Sequence, residues 1–108
     1  MSKAEYWQRG ETIDFVNNTG AAIEANEIVV IGSRIGVAGT DIAIGELGSL
    51  HVFSVFEMPK KAGDAITQGQ AVYYADGAIT VTAGAVTAGY AVEAAAADAA
   101  TVKVKLLG

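Results

Sequence analysis

Along much of this chain apolar and polar side chains alternate with a period of two, the repeat of a strand that buries one face and shows the other to water. Residues 12–16 set the pattern: Ile13 and Phe15 fall on one side, Thr12 and Asp14 on the other, and Asn17-Asn18-Thr19-Gly20 closes the segment as a turn. Residues 28–31, Ile-Val-Val-Ile, are continuously apolar and β-branched, which predicts a strand covered on both faces. Alternation resumes in residues 34–38 with Ile35 and Val37 inward. The intervening Gly32-Ser33 predicts a tight hairpin that needs positive φ. A short apolar pair, Ile42 and Ile44, then precedes Gly45.

Residues 50–58 form the longest strand candidate. Leu50, Val52, Phe56 and Met58 share one face, yet the opposite face, with His51, Phe53, Val55 and Glu57, is also largely apolar. One face packs the domain's own core, so the other predicts a further cover, a neighbouring subunit or a crossing segment. His51, Phe53 and Val55 are therefore the candidate subunit interface. Residues 59–69 read as a polar connection turning at Gly63-Asp64 and Gln68-Gly69, with Lys60-Lys61 as solvated surface. Residues 71–75 and 78–82 flank Asp76-Gly77, the favoured pair of a type I′ turn, and make the clearest hairpin. The last strands are predicted at residues 89–93 and 101–106, the latter with Val102, Val104 and Leu106 inward. Lys103 and Lys105 point to water there and guard an edge. The Ala-rich residues 94–100 have helical propensity but are too few to hold a helix. Neither an internal repeat nor a linker is apparent.

Short strands recurring with turn signals between them, and no sustained helical period, predict an all-β fold. The expected subunit is a small compact β-barrel or β-sandwich-like domain over residues 11–108, preceded by a flexible N-terminal arm over residues 1–10. Tyr6 and Trp7 lie in that arm. Two readings of them stand: aromatic anchors for a partner's pocket, or, for Trp7, a plug in the open end of the chain's own barrel.

Composition narrows the chemistry. The chain is 52% apolar with only 18% charged residues, a balance that leaves room for an associating surface. Twelve acids against seven bases give a net charge of −5, which disfavours nucleic-acid binding. No cysteine is present, which removes disulfides, thiolate zinc sites and Cys-His dyads. His51 is the sole histidine, and Ser2, Ser33, Ser49 and Ser54 sit in no G-x-S-x-G elbow. The acids show no calcium-loop order, and Gly32, Gly36 and Gly39 lack the dinucleotide-binding spacing. No catalytic, cofactor-binding or metal-ligating residue is therefore assigned. The longest uncharged run, residues 78–92, is interrupted by Thr and Gly, so no membrane span is expected. The first ten residues lack an apolar signal region, and the chain is expected to remain in the compartment where it is made.

Two resemblances bear on function. Residues 62–72, A-G-D-A-I-T-Q-G-Q-A-V, resemble a stretch of biotinyl and lipoyl carrier domains, but the hairpin that follows carries Asp76-Gly77 and no lysine. Over nearly the whole chain, from Arg9 to Leu106, the ordered segments R-G-E-T-I-D-F, I-V-V-I-G-x-x-I-G-V-A, F-E-M-P-K-K-A-G-D-A-I-T, D-G-A-I-T and G-Y-A-V-E-A-A-A-A-D-A-A-T-V-K-V-K-L resemble the small capsid cement, or head decoration, proteins of tailed phages and prophages. That resemblance implies a β-rich subunit assembling as a trimer on the outside of a mature head. Its partner would be the major capsid protein, and its role mechanical, with no cofactor. It also implies synthesis in the bacterial host cytoplasm. The alternatives are a carrier or hammerhead-type binding module and a small β-barrel enzyme centred on His51. A stable oligomer without activity distinguishes the first reading from both.

Overall fold

The computed structural model describes residues 2–107, and these contain nine strands and no helix. Strands β1 (Thr12–Val16), β2 (Ile28–Ile31), β3 (Arg34–Ala38) and β4 (Leu47–His51) form one antiparallel sheet in the order β1-β4-β3-β2. Strands β5 (Phe53–Pro59), β6 (Ala71–Ala75), β7 (Ala78–Thr80), β8 (Thr87–Ala91) and β9 (Thr101–Leu107) form the second, in the order β5-β9-β8-β6-β7. β7 returns toward the end of β5 through a parallel bridge between Lys60 and Ile79, with the Lys61 amide donating to the Ile79 carbonyl at 2.8 Å. The second sheet thereby curls nearly closed, as a small barrel requires.

Local chemistry accounts for most of the elements. The Asp76-Gly77 turn has positive φ at both residues, 52° and 79°, the geometry of a type I′ hairpin between β6 and β7. Gly32, at φ 62°, closes the β2–β3 hairpin as its sequence predicts. The Ala-rich stretch before β9 is a loop, pinned by an antiparallel bridge from Ala95 to Ile66.

The two sheets are copies of one design, a relation the sequence reading missed. β1-β4-β3-β2 and β5-β9-β8-β6 have the same order, and their connecting loops make the same hydrogen bonds. Ile23 and Ile42 exchange both backbone bonds at 2.9 and 2.8 Å, and so do Ile66 and Ala95 at 2.9 Å. The Asn26 amide donates to Ala38 and the Ala38 amide to Glu27; in the second half Gly69 donates to Ala91 and Ala91 to Gln70. In each loop a side chain caps the turn: Glu27 accepts from the Glu24 amide and Gln70 from the Thr67 amide. β7 and its flanking loops are the one large insertion. The repeat is faint in sequence because only Gly20-x-Ala22-Ile23 and Gly63-x-Ala65-Ile66, Val29 and Val72, and Gly36-x-Ala38 and Gly89-x-Ala91 keep their residues.

Equivalent residues also build equivalent cores. Ile23, Val29, Ala38, Ile42 and Leu50 are buried between the first sheet and its loops; Ile66, Val72, Ala91 and Val104 take the matching places in the second half. The second core is larger, with Met58, Ile79, Val102 and Leu106. It also takes in Ile35 and Val37 from the opposite face of the first sheet, which locks the halves together. Each fully buried Leu or Ile here contributes about 1.5–3 kcal/mol relative to exposure. At Gly36 and Gly89 strands approach too closely for a side chain: a Cβ on Gly89, whose φ is 146°, would land on the Lys105 carbonyl oxygen, and one on Gly36 would press on the His51 carbonyl.

Four sequence expectations need correction. Residues 50–58 are not one ribbon, because the chain leaves the first sheet after His51 and enters the second at Phe53, with Val52 buried at the crossing. β2 is covered fully on one face and only in part on the other, since Val29 is buried and Ile28 packs against the second core while Val30 is exposed. β9 lies between β5 and β8, so Lys103 and Lys105 do not guard an edge; the edge strands are β5 and β7. The fourth strand begins at Leu47, earlier than its apolar pattern indicates, because its exposed face carries Leu47 and Ser49 together.

The crossing has a backbone cost. Ser54 sits at φ 129°, a conformation that a side chain disfavours and glycine tolerates. Ser54→Gly is expected to stabilise the protein by about 1 kcal/mol, read as a rise in thermal midpoint; an unchanged or lowered midpoint would show that the crossing is unstrained.

Candidate functional site

Cement proteins and enzymes would leave different marks on a structure, and the side chains singled out by sequence fall as follows. His51 ends β4 half-buried, its ring 5.9 Å from that of Phe56 and tilted by 43°, and its Nε2 lies close over Gly39. Phe53 and Val55 stand on the outer face of β5, 43% and 48% exposed, beside Leu107 of β9 at 56%. The Lys105 ammonium lies 3.8 Å from the centre of the Phe53 ring, a cation–π contact that keeps a charge at the rim of this apolar face. The break at Val52 therefore puts His51 on one sheet and Phe53 and Val55 on the other.

The arm leaves the body at the same place. The Glu11 carbonyl accepts from the Val52 amide at 3.0 Å, and residues 2–10 run outward from there with no strand pairing. Trp7 is 90% exposed and Tyr6 86%, so Trp7 does not plug the barrel, the alternative its sequence left open. Both rings are held away from the domain.

Two buried polar side chains hold the loops of the two halves, and the sequence reading assigned neither. Asn17 is fully buried; its Nδ2 donates to the Ala21 and Ile42 carbonyls, both at 2.9 Å, and its Oδ1 accepts from the Thr19 amide at 3.0 Å. Lys60, at the corresponding position of the second half, is buried rather than solvated. Its Nζ donates to the carbonyls of Lys61, Asp64 and Ala97 at 2.9, 2.6 and 3.1 Å. A lysine pair in a loop gives no sequence sign of this; only the repeated G-x-A-I that follows both positions could have revealed it. Nearby, the Thr80 hydroxyl and the Val81 amide donate to Asp64 at 2.7 and 3.2 Å and hold its carboxyl below the usual value, with Lys61 and Lys60 adding smaller electrostatic support. Glu93 and Lys103 form an exposed ion pair at 2.6 Å, which raises the Lys103 ammonium above its usual value and adds little stability.

Among the described residues no group of three His, Asp or Glu side chains is placed to hold a metal, and no helix is long and apolar enough to cross a membrane. The G-D-A-I-T-Q-G-Q stretch that resembles carrier domains is the second copy of the internal loop, and its two glycines serve the turns. What the fold presents is a nine-stranded β body, an exposed apolar face around Phe53 and Val55, and an N-terminal segment whose Tyr6 and Trp7 rings are exposed. The family model for phage cement protein matches residues 7–106, and the chain belongs to that family. It is a cement protein of phage capsids. No curated relative and no solved structure matches it.

Two outcomes follow from the buried polar contacts. Lys60→Met leaves three carbonyls without their donor and is expected to cost about 2–4 kcal/mol in denaturant unfolding; a loss under about 0.5 kcal/mol would show that water replaces the ammonium. Because Asp64 has a lowered folded value, its contribution is present above its usual 3.8 and is lost as pH falls below that. Asp64→Asn should therefore flatten the acid limb of the stability profile, and an unaltered limb would assign acid sensitivity to other carboxylates.

Proposed function

We propose that the protein binds the outer surface of the mature phage head as a homotrimer and stabilises it against the pressure of packaged DNA. The major capsid protein is its partner, and the role is mechanical, without cofactor or catalysis. The chain is made in the host cytoplasm and ends on the virion exterior. The family match over residues 7–106 carries this reading. The exposed face around Phe53 and Val55 supports self-association, whereas His51, the third residue of the expected interface, lies on the other sheet against Phe56. The solvent-held Tyr6 and Trp7 support a capsid-gripping arm.

The physics is mass action. A ligand that binds only the assembled, expanded lattice stabilises each site by RT ln(1 + [L]/Kd), about 2.7 kcal/mol at a hundredfold excess over Kd. A trimer joins three such contacts in one rigid body, so modest single contacts give durable attachment. An arm of nine residues extends at most about 30 Å, enough to reach beyond its own subunit, and aromatic tips bring large contact area for little entropy.

Removing residues 2–8 is expected to weaken co-sedimentation with expanded heads by at least about tenfold, near 1.4 kcal/mol, while the β circular dichroism spectrum is preserved. Head binding equal to that of the full chain would place the contact elsewhere.

A further inference from the structure

The internal duplication supplies a rule for how the open face is covered. In the first half, the face bearing Ile35, Val37 and His51 packs against the second half: Ile35 and Val37 enter its core, and the His51 ring meets Phe56. The matching hydrogen-bond registers put Tyr90 where the first half has Val37, Lys105 where it has His51, and Val55 where it has Thr12. In the second half this face is open among the described residues: Val55, Phe53 and Leu107 are exposed around half-buried Tyr90 and Lys105. A surface that packs against a unit of this fold in one copy of the design is left unpartnered in the other.

Charge points the same way. The first half carries Glu11, Asp14, Glu24, Glu27, Asp41 and Glu46 against the single base Arg34, whereas the open face of the second half displays Lys105 over Phe53, its neighbour Lys103 being already paired with Glu93 and set opposite Glu57. We propose that the outer face of the second sheet is covered by the first half of another copy of this chain, head to tail. The ring thus repeats between subunits the contact that joins the halves within one. This rests on the self-associating subunit proposed above. Such an interface is heterologous: two different surfaces meet, and the assembly closes when the rotation per subunit divides the circle, as three copies would. A twofold contact would instead set Lys105 against Lys105, a like-charge pairing.

The test uses the full chain and native mass spectrometry at micromolar concentration. The unaltered protein is expected to be a closed ring. Val55→Arg, a change at an exposed position, should reduce it to single chains with its thermal midpoint within a few degrees. Lys105→Glu should raise the dissociation constant at least tenfold, and the unaltered protein's association should weaken as salt rises. The chain has no cysteine, so Val55→Cys gives one clean probe: head-to-tail packing leaves it unpaired under mild oxidation. A ring that survives Val55→Arg, efficient Val55→Cys disulfide dimers, or a single-chain wild type would each overturn the inference. Co-sedimentation with heads separates the two readings. A single-chain wild type that still binds heads sinks the head-to-tail ring and leaves the cement role standing, while a head-to-tail ring that ignores heads does the reverse.

Discussion

An all-β chain with many loops must pair, inside the protein, the carbonyls left over where strands end, and this constraint governs the whole molecule. Asn17 and Lys60 meet it at corresponding points of the two halves, one with an amide and the other with an ammonium. Each ties a loop carbonyl near the strand that precedes it to a carbonyl from the distant loop that bridges back. No buried side-chain nitrogen or oxygen among the described residues lacks a partner. An unpaired donor at either position would cost about 1–3 kcal/mol, as much as burying a neighbouring Leu or Ile contributes.

With the loops held, the Ile23–Ile42 and Ile66–Ala95 bridges fix the register and the two cores follow. Besides the β7 insertion and the larger second core, the halves differ in what their outer faces meet. The first half spends its face on the second; the second, enlarged by β7 and curled nearly shut, keeps its own face open. The body spans 41 by 41 by 21 Å, arm included, so a thin slab offers much surface for its mass.

The crossing at Val52 joins these properties. It carries the chain between sheets, places Ser54 in an unfavourable backbone conformation, and receives the arm through Glu11. The N-terminal segment, the exposed face and the crossing between sheets therefore meet where the Val52 amide donates to the Glu11 carbonyl.

Much of this was legible in the amino-acid order. The alternation at Ile13 and Phe15, the Gly32-Ser33 and Asp76-Gly77 turns, and the inward Val102, Val104 and Leu106 are local signals, and local sterics and burial enforce them. The apolar character of Phe53 and Val55 was equally plain, whereas the exposure of Trp7 was one of two readings that the sequence left open. Tertiary structure alone decided the rest. Residues 50–58 keep one apolar parity on either side of Ser54 because both sheets bury the same parity of side chain, so a single polar residue is all that locally marks the change of sheet. Strand order put β9 inside its sheet, and long-range hydrogen bonds buried Lys60. Burial pattern constrains side chains and leaves backbone registers free to recur with different residues, which is why the duplication shows in the fold and hardly in the sequence.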